Sequence, residues 1–400
     1  MKRWLILLLG MIANLAQGVA YASSVLRDPM MAGLLGITDP VAGKACFSTI
    51  FTLSILFVPL GMLLAGRLEK ISHRLPIVLG AAMYGLGVFA SGFATNFYVL
   101  CLTFGFMLSF GSGLAYGSIV AHAVRWFPDK KGLASGLVVG ALGFGPVWIA
   151  PLCASLLADQ FTIQQVLQIL GVICLAAIGL AVLIPSAPQQ QGEAAIHLEN
   201  KSNDLMWTQM IQTRKFWTLF ILFLLGTAPG IMIISAASGI FQSLGGLTPQ
   251  NAAGLVAVLA MANALGRFLW GTISDYVGRI NALTAMYFLS VLAMIALTLP
   301  AASHSAVLIT IIFVIGATYG GYLGLFPSLC VESFGLKNMV VNYALLFIAF
   351  SIAALVGSKV YVAFDLHSAF YVAAGLALTG CILSLLYRKI NPANTNENKM

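Results

Sequence analysis

The stretch from Asn251 to Arg279 reads NAAGLVAVLAMANALGRFLWGTISDYVGR, and its first 24 residues contain a single charged side chain, that of Arg267. A helix that crosses the hydrocarbon core of a bilayer needs about 20 mostly apolar residues. Such a helix satisfies its backbone hydrogen bonds internally. This run therefore predicts a membrane-spanning helix with an arginine inside it.

The composition extends this pattern to the whole chain. Of its 400 residues, 60% are hydrophobic and 8% are charged, whereas an average soluble domain has about 25% charged residues. The mean hydropathy is +0.97. Twelve apolar segments reach the length of a spanning helix, so we predict an all-α membrane protein with twelve transmembrane helices. These predicted spans, numbered in chain order, are 4–22, 46–66, 76–94, 97–122, 133–157, 165–185, 215–240, 251–273, 281–300, 305–330, 341–364 and 368–387.

One polar stretch divides the chain. Residues 186–205, SAPQQQGEAAIHLENKSNDL, form its only long hydrophilic segment. They predict an amino-terminal six-helix bundle at 1–185, a cytoplasmic linker at 186–214 and a carboxy-terminal six-helix bundle at 215–400. An internal repeat supports this division, because GLAYG at 113–117 returns as GATYG at 316–320. Repeats of this kind place a substrate site between two bundles near the middle of the bilayer.

Basic residues indicate the topology. The formal net charge is +8, but Lys and Arg beside membrane spans are retained on the cytoplasmic side. With the amino terminus inside, only Arg27, Lys44 and Lys359 fall in outer segments. The charge therefore predicts a bacterial-type plasma membrane protein with both termini in the cytoplasm, and it does not indicate a nucleic-acid partner.

The amino terminus allows two interpretations. Lys2, Arg3, the apolar run after them and the small residues around Tyr21 also fit a cleaved secretory signal. Cleavage would leave eleven spans and would remove a polar face that includes Gln17. We therefore favour an uncleaved first helix.

The end of the opening stretch fits a family pattern. The sequence GTISDYVGR at 271–279 matches the G-x-x-x-D-x-x-G-R motif of the major facilitator superfamily, which the chain resembles over nearly its full length. A degraded copy follows span two, with Glu69 in place of the aspartate and Ser72 in place of the glycine. The resemblance implies gating and packing roles for the motif residues Gly271, Asp275, Gly278 and Arg279.

Two further segments narrow the resemblance. The sequence RWFPDKKGLASG at 125–136, and FPSLCVESFG at 326–335 followed by Asn342 and Tyr343, resemble the oxalate/formate antiporter family and its relatives, the monocarboxylate transporters. Within the first segment, Arg125 and Asp129 are candidates for a conformational role. The alternative is that they are only a solvated topology signal.

Arg267 is the strongest candidate for a substrate ligand. It lies eight residues before Asp275, or about 12 Å along a helix from that boundary. Snorkelling to the interface is the alternative explanation, but the spacing of Asn263, Arg267, Gly271 and Ser274 predicts one polar or small helix face. The resemblance implies that this arginine binds a substrate carboxylate, a task that suits the planar guanidinium.

Aromatic and polar residues of other spans could form the rest of a pocket. Tyr21, Tyr116 and Tyr319 match aromatic binding positions in the family, and Gln17 lies on the polar face of span one. The alternative for such aromatic stripes is core packing. A pocket of this kind needs mostly apolar walls with a few convergent polar groups.

Two departures from the family bear on the substrate and on its coupling ion. The oxalate carrier has a lysine at the position of Phe350, so a single cation, Arg267, favours a monoanion. Proton-coupled monocarboxylate transporters have an aspartate at the position of Asn263, so their proton carrier is absent from that place. His122 is another titratable candidate within a span, with a helix hydrogen bond as its alternative role.

These features predict a carrier for a small monocarboxylate of the formate, lactate or pyruvate class, working by exchange or by symport. An exporter of drugs or other organic solutes and a nontransporting membrane sensor are the alternatives. An enzyme is not expected, because the spans show no nucleophile and base or acid pair at recognisable spacing. The six cysteines indicate neither a disulfide framework nor a metal site. The expected partners are a small organic anion and the lipid bilayer, with no cofactor and no second protomer.

Overall fold

The computed structural model describes residues 2–185 and 204–390. Every regular element in these ranges is helical. The α-helices are α1 Lys2–Ala16, α2 Ser23–Leu35, α3 Pro40–Leu56, α4 Val58–Leu68, α5 Leu75–Ser91, α6 Phe97–Leu100, α7 Leu108–Trp126, α8 Lys131–Ala158, α9 Ile163–Gly179, α10 Trp207–Met210, α11 Arg214–Gly245, α12 Pro249–Val277, α13 Arg279–Ala296, α14 Ser305–Phe334, α15 Met339–Ala363 and α16 Leu366–Ile390.

The helices confirm the predicted multi-pass α-helical class. Among the described residues, ten helical segments are long and apolar enough to cross a membrane, and Arg3–Val19 and Leu75–Ser91 are shorter apolar helices at the positions of predicted spans one and three. Span one differs in detail from the sequence prediction. A 3-10 segment, Gln17–Ala22, follows α1, and helical structure then continues in α2 as far as Leu35.

Local sequence explains several helix ends. Asp39 begins α3 by accepting a hydrogen bond from the backbone N–H of Ala42 at 2.9 Å. Thr162 and Gln165 form a capping box at the start of α9. Gly278 separates α12 from α13 with a φ of 87°, a conformation that glycine adopts without strain.

The chain forms two compact units. The first comprises Met1–Trp126, Ala141–Lys201 and Asn338–Leu345, and the second comprises Phe127–Gly140, Ser202–Lys337 and Leu346–Met400. The first part of α8 therefore packs in the second unit, and the first part of α15 packs in the first. Packing, rather than chain order alone, defines each unit.

Glycines permit the closest helix approaches within each unit. In the first unit, a side chain at Gly61 would collide with the carbonyl oxygen of Phe110, and one at Gly113 would collide with that of Val58. In the second unit, a side chain at Gly320 would collide with the Asn263 carbonyl oxygen. Small residues at such positions let membrane helices pack backbone against backbone.

Candidate functional site

Arg267 is buried in the second unit, with 1% of its surface exposed. Its Nε donates to the Asn263 side-chain oxygen at 3.1 Å, and its Nη1 donates to the Val139 backbone carbonyl at 3.0 Å. Both of these acceptors are uncharged. The burial excludes a snorkelled side chain in this structure, because a snorkelled guanidinium would be exposed.

The sequence of α12 sets the orientation of this arginine. Asn263 and Arg267 are one helical turn apart, so their side chains lie on the same face, as the sequence predicts. Asn263 and Ser274 are also buried, at 6% and 1% exposed. The predicted polar or small face of α12 is therefore an interior face.

Glycines of α8 and α14 close around the backbone of α12 at the level of Arg267. A side chain at Gly136 of α8, or at Gly324 of α14, would collide with the Arg267 carbonyl oxygen. Gly132 approaches the carbonyl of Gly271 in the same way. This close approach brings the Val139 carbonyl within hydrogen-bonding distance of the guanidinium.

Two of the predicted aromatic residues are buried in the second unit. Tyr319 is 3% exposed, and its ring fills the space beside Gly230 of α11. Phe350 is 4% exposed, and its ring centroid lies 4.9 Å from that of Phe347 and 6.3 Å from that of Phe223. Phe350 is thus part of an aromatic cluster formed by α11, α14 and α15.

Gln17 belongs to a buried polar cluster in the first unit. Its side-chain Nε2 donates to the Asn14 side-chain oxygen at 2.8 Å, and its Oε1 accepts from the Ser112 hydroxyl at 2.9 Å. The Tyr84 hydroxyl donates to the Gln17 backbone carbonyl at 2.6 Å. Because α-helical structure stops at Ala16, this cluster lies at a break in a membrane helix, a common setting for transporter sites.

Tyr116 and Tyr343 meet within the first unit. Their hydroxyl oxygens are 3.5 Å apart and their ring centroids 6.5 Å apart. Tyr116 is 4% exposed, so it contributes a buried phenol on α7. The side chain of Tyr21, the remaining predicted aromatic residue, lies outside the described residues.

The second-half motif forms a charged network at the end of α12. Arg279 binds the Asp275 carboxylate through Nη2 and the Ser274 hydroxyl through Nη1. Its Nε donates to the Glu332 carboxylate at 2.9 Å, and Nη1 approaches the Gly271 carbonyl at 3.5 Å. The motif's aspartate and arginine therefore meet across the turn at Gly278, which separates α12 from α13.

Asp275 also caps the start of α8. Its two carboxylate oxygens accept hydrogen bonds from the backbone N–H groups of Gly132 and Leu133, at 2.9 and 2.8 Å. Carboxylates are favoured at a helix amino terminus, where N–H groups lack intrahelical acceptors. This contact explains why the sequence needs an acidic residue at position 275.

The degraded first-half copy is also paired. Arg125, in the last turn of α7, donates from Nη2 to the Glu69 carboxylate at 3.1 Å. Asp129, the other predicted gating residue of this region, is exposed in the turn between α7 and α8.

Three participants were missed by the sequence analysis. The Val139 carbonyl has no residue-type signal, because any residue supplies a backbone oxygen. Ser112 lies four residues before Tyr116, so its place on the same face of α7 could have been found. Glu332 lies inside the FPSLCVESFG segment, where its charge beside so many apolar residues was a usable signal.

Ionisable residues buried in membrane helices mark solute or ion pathways, so this helical protein belongs among the multi-pass membrane transporters. The chain is a member of the Major Facilitator Superfamily, whose family model matches residues 4–358. The family resemblance seen in the motifs is thereby confirmed.

Individual relatives cover most of the chain. It is 29% identical to the MFS-type transporter YhjX of Escherichia coli strain K12 over 355 residues, which are 88% of this chain and 86% of that protein. It is 26% identical to the oxalate:formate antiporter of Oxalobacter formigenes over 380 residues, 93% of this chain and 88% of that one.

A solved structure shows the same fold. The proton:xylose symporter XylE, bound to 6-bromo-6-deoxy-D-glucose, matches with a TM-score of 0.76 at 12% identity, covering 96% of this chain and 95% of its own. At this identity the similarity establishes the shared fold alone.

Proposed function

We propose that this transporter carries a small monocarboxylate, of the formate, lactate or pyruvate class, across a bacterial-type plasma membrane by alternating access. The observation that carries the proposal is the burial of the Arg267 guanidinium among the membrane helices of the second unit, where its acceptors include the neutral oxygens of Asn263 and Val139. A guanidinium binds a carboxylate through two parallel, charge-assisted hydrogen bonds, which are about twice as strong as neutral ones. A carboxylate substrate can therefore displace the Val139 carbonyl from Nη1.

The charges of the second unit support an anionic substrate. The buried guanidinium of Arg267 is a permanent positive charge. A small anion is the partner that the chemistry of Arg267 selects. One of the two substrates in the name of the relative oxalate:formate antiporter, formate, is a small monocarboxylate.

The remaining predicted residues shape the pocket in this proposal. Asn263 holds Nε of Arg267, and a substrate carboxylate that displaces the Val139 carbonyl would bind the terminal nitrogens. Tyr319 and Phe350 of the second unit contribute aromatic wall, while Gln17, Tyr21 and Tyr116 stay candidates for substrate contact from the sequence. Because Phe350 adds no charge, a monoanion is preferred over a dianion.

The motif residues act as a conformational latch in this proposal. Asp275 holds the start of α8 through two N–H groups, and Gly132 and Gly271 allow the two backbones to meet. Gly278 forms the turn between α12 and α13, and Arg279 neutralises the charge of Asp275. Arg125 binds Glu69 in the first-half copy, and Asp129 lies on the connecting turn.

Counterflow in proteoliposomes tests the proposal. Purified protein is reconstituted with internal unlabelled lactate, and uptake of labelled formate, lactate and pyruvate is compared for wild type, Arg267→Gln and Arg388→Gln. Arg388 is an exposed arginine in the last turn of α16, so its variant controls for loss of a positive charge. We expect Arg267→Gln to abolish uptake and Arg388→Gln to retain it.

Two outcomes would refute the assignment. Near-normal uptake by Arg267→Gln at matched reconstitution would remove the arginine from the site. Absence of carboxylate flux in wild type, together with flux of hydrophobic cations or of no solute tested, would favour the exporter or the sensor.

A further inference from the structure

Two histidines of the first unit face each other away from the residues assigned to carboxylate binding. The ring centroids of His73 and His122 are 5.5 Å apart, with an angle of 42° between the ring planes. His122 is 1% exposed, and its Nδ1 lies 2.7 Å from the Ser118 carbonyl oxygen. The same nitrogen is 3.8 Å from Oε1 of Glu69.

The hydrogen bond to Ser118 assigns the protons of His122. A carbonyl oxygen only accepts, so Nδ1 carries a hydrogen and Nε2 of the neutral ring is the basic nitrogen. Two more atoms of this cluster, Nε2 of His73 and Oε1 of Glu69, are buried without a hydrogen-bond partner among the described residues. Buried polar atoms in this state are costly, and a hydrogen on Nε2 of His73 would give Oε1 of Glu69 a donor.

The internal repeat indicates what such a proton would do. Glu69 takes the place of Asp275 in the degraded copy, and His73 follows Glu69 by four residues just as Arg279 follows Asp275. Arg279 is always charged and binds Asp275. A histidine at the equivalent position carries that charge only when it is protonated, because the imidazole ring, unlike the guanidinium, also has a neutral form.

The other charged groups around the pair sharpen this contrast. Arg125 of α7 binds Oε2 of Glu69 at 3.1 Å and leaves Oε1 facing the histidines. Arg67 lies in the last turn of α4, and Lys70 and Arg74 lie on the same connection as His73. The segment 338–345, which packs on Gly66 and Gly117 through Val341 and Val340, contains no charged residue. Glu69 is therefore the carboxylate that a protonated histidine would meet.

We propose that Glu69, His73 and His122 form a proton-binding site in the first unit. When this site is protonated, His73 and Glu69 form a charged pair equivalent to the permanent pair of Arg279 and Asp275 in the second unit. Protonated His73 donates to Oε1 of Glu69 while Arg125 keeps Oε2. Transport then depends on the pH of the compartment that the connection between α4 and α5 faces, which the topology predicts to be the cytoplasm. The pH dependence of transport rests on the proposed carrier function, whereas proton binding by the three residues does not.

Two substitutions at position 73 fix the site in its two states. His73→Arg supplies a permanent charge, as at Arg279, and His73→Gln supplies a permanently neutral side chain. His304→Gln is the control, because His304 is exposed at the start of α14, far along the chain from this cluster. Labelled formate exchange is measured between pH 5.5 and 8, with the internal and external pH set separately, since formate stays ionised over this range.

We expect wild-type exchange to change about threefold or more across this range, from one side of the membrane only. His73→Arg should be nearly flat at the acidic wild-type rate and His73→Gln nearly flat at the alkaline rate, while His304→Gln follows wild type. His122→Gln should reduce the response. A flat wild-type profile, or wild-type pH response in both His73 variants, would overturn the proposal.

A second measurement does not require transport. The melting temperature of the detergent-purified proteins is recorded against pH without substrate, and wild type should approach His73→Arg at acidic pH and His73→Gln at alkaline pH, relative to His304→Gln. If wild type carries no carboxylate, these curves still decide the proton site. A difference between wild type and His73→Gln that is constant with pH would overturn it.

Discussion

The guanidinium of Arg267 donates to the backbone carbonyl of Val139, 128 positions earlier in the chain, at 3.0 Å. The guanidinium is a charge that is costly to bury, and this acceptor is a neutral oxygen. Glycines of α8 allow that helix to approach α12 closely enough for the bond to form. A carboxylate offers Arg267 a better acceptor than this carbonyl. The bond therefore marks the group that the substrate is expected to replace.

Arg267→Lys tests the geometry of this contact separately from its charge. Lysine keeps the positive charge but cannot form the bidentate fork or hold Asn263 through Nε. We expect affinity for lactate to fall about tenfold, which corresponds to roughly 1.4 kcal/mol, with measurable exchange remaining. Concentration series of lactate counterflow give the apparent affinity. Unchanged affinity would show that the fork is not used.

Asn263→Asp tests the place of the proton carrier. An ionised aspartate introduced there would pair with Arg267 in the position where the Asn263 amide oxygen now accepts from Nε at 3.1 Å. We expect lactate exchange at pH 7.5 to fall at least tenfold because this internal carboxylate competes with the substrate. Exchange should recover at acidic pH, and net uptake should become dependent on a pH gradient. Asn263→Gln is the neutral control, and equal inhibition by both changes at every pH would point to a packing effect instead.

Much of the fold and part of the site could be predicted from the sequence because they rest on local patterns. Apolar length predicted the spans, and four-residue spacing predicted that Asn263 and Arg267 share a face. Each of these relationships follows from the pitch of one helix or from neighbouring turns. These relationships do not depend on how the rest of the chain packs.

Contacts between distant segments could not be predicted in the same way. Val139 contributes a backbone atom, which leaves no mark on residue type. The meeting of His73 with His122 depends on how distant helices pack. The Gln17 carbonyl, where 3-10 structure begins, accepts from the hydroxyl of Tyr84, a residue of another helix. Glycine at every fourth position, 132, 136 and 140, was the one visible sign that α8 packs tightly on a partner.

Gly136→Ala tests the tight packing of α8 on α12. A methyl group at this position would collide with the Arg267 carbonyl oxygen, and overpacking of a close contact costs about 1–3 kcal/mol. We expect a lower melting temperature and slower exchange. Gly375→Ala in α16 is the matched control, because an added methyl group meets no atom there, and removing a helix glycine stabilises by about 0.5–1 kcal/mol. Equal behaviour of the two variants would contradict a packing role for Gly136.

Asp275→Asn tests the latch at the start of α8. Asparagine has one acceptor oxygen and no charge, so it cannot bind Gly132, Leu133 and Arg279 as the carboxylate does. Hydrogen bonds to charged groups contribute about 1.5–3 kcal/mol each, and we expect a lower melting temperature with strongly reduced exchange. Asp365→Asn is the control, because Asp365 also accepts from a helix-start N–H, that of Ser368 at 3.1 Å, yet it lies at the start of α16 and is exposed. Equal loss of exchange in both variants would mean that helix capping in general, rather than this latch, limits transport.

Phe350→Lys tests what sets the charge of the substrate. Phe350 lies buried against Phe347 and Phe223, where an unpaired second carboxylate of oxalate would be costly. Wild type should therefore prefer lactate to oxalate, and a lysine at position 350 should supply the missing cation. We expect the ratio of oxalate to lactate uptake to rise about tenfold, or roughly 1.4 kcal/mol, with lower affinity for lactate because the wall has changed in shape and charge.

Phe350→Leu separates the effect of charge from that of shape, because it opens the aromatic cluster without adding a cation. All three proteins are compared at equal density in the same liposomes, after size-exclusion chromatography has shown that each remains folded. If Phe350→Leu raises the oxalate ratio as much as Phe350→Lys does, cavity size rather than charge controls the selection. If wild type already moves oxalate well, or if a folded Phe350→Lys protein leaves the ratio unchanged, position 350 does not select substrate charge. The preference for a monoanion would then lose its main support, while carboxylate binding by Arg267 would still be decided by Arg267→Gln.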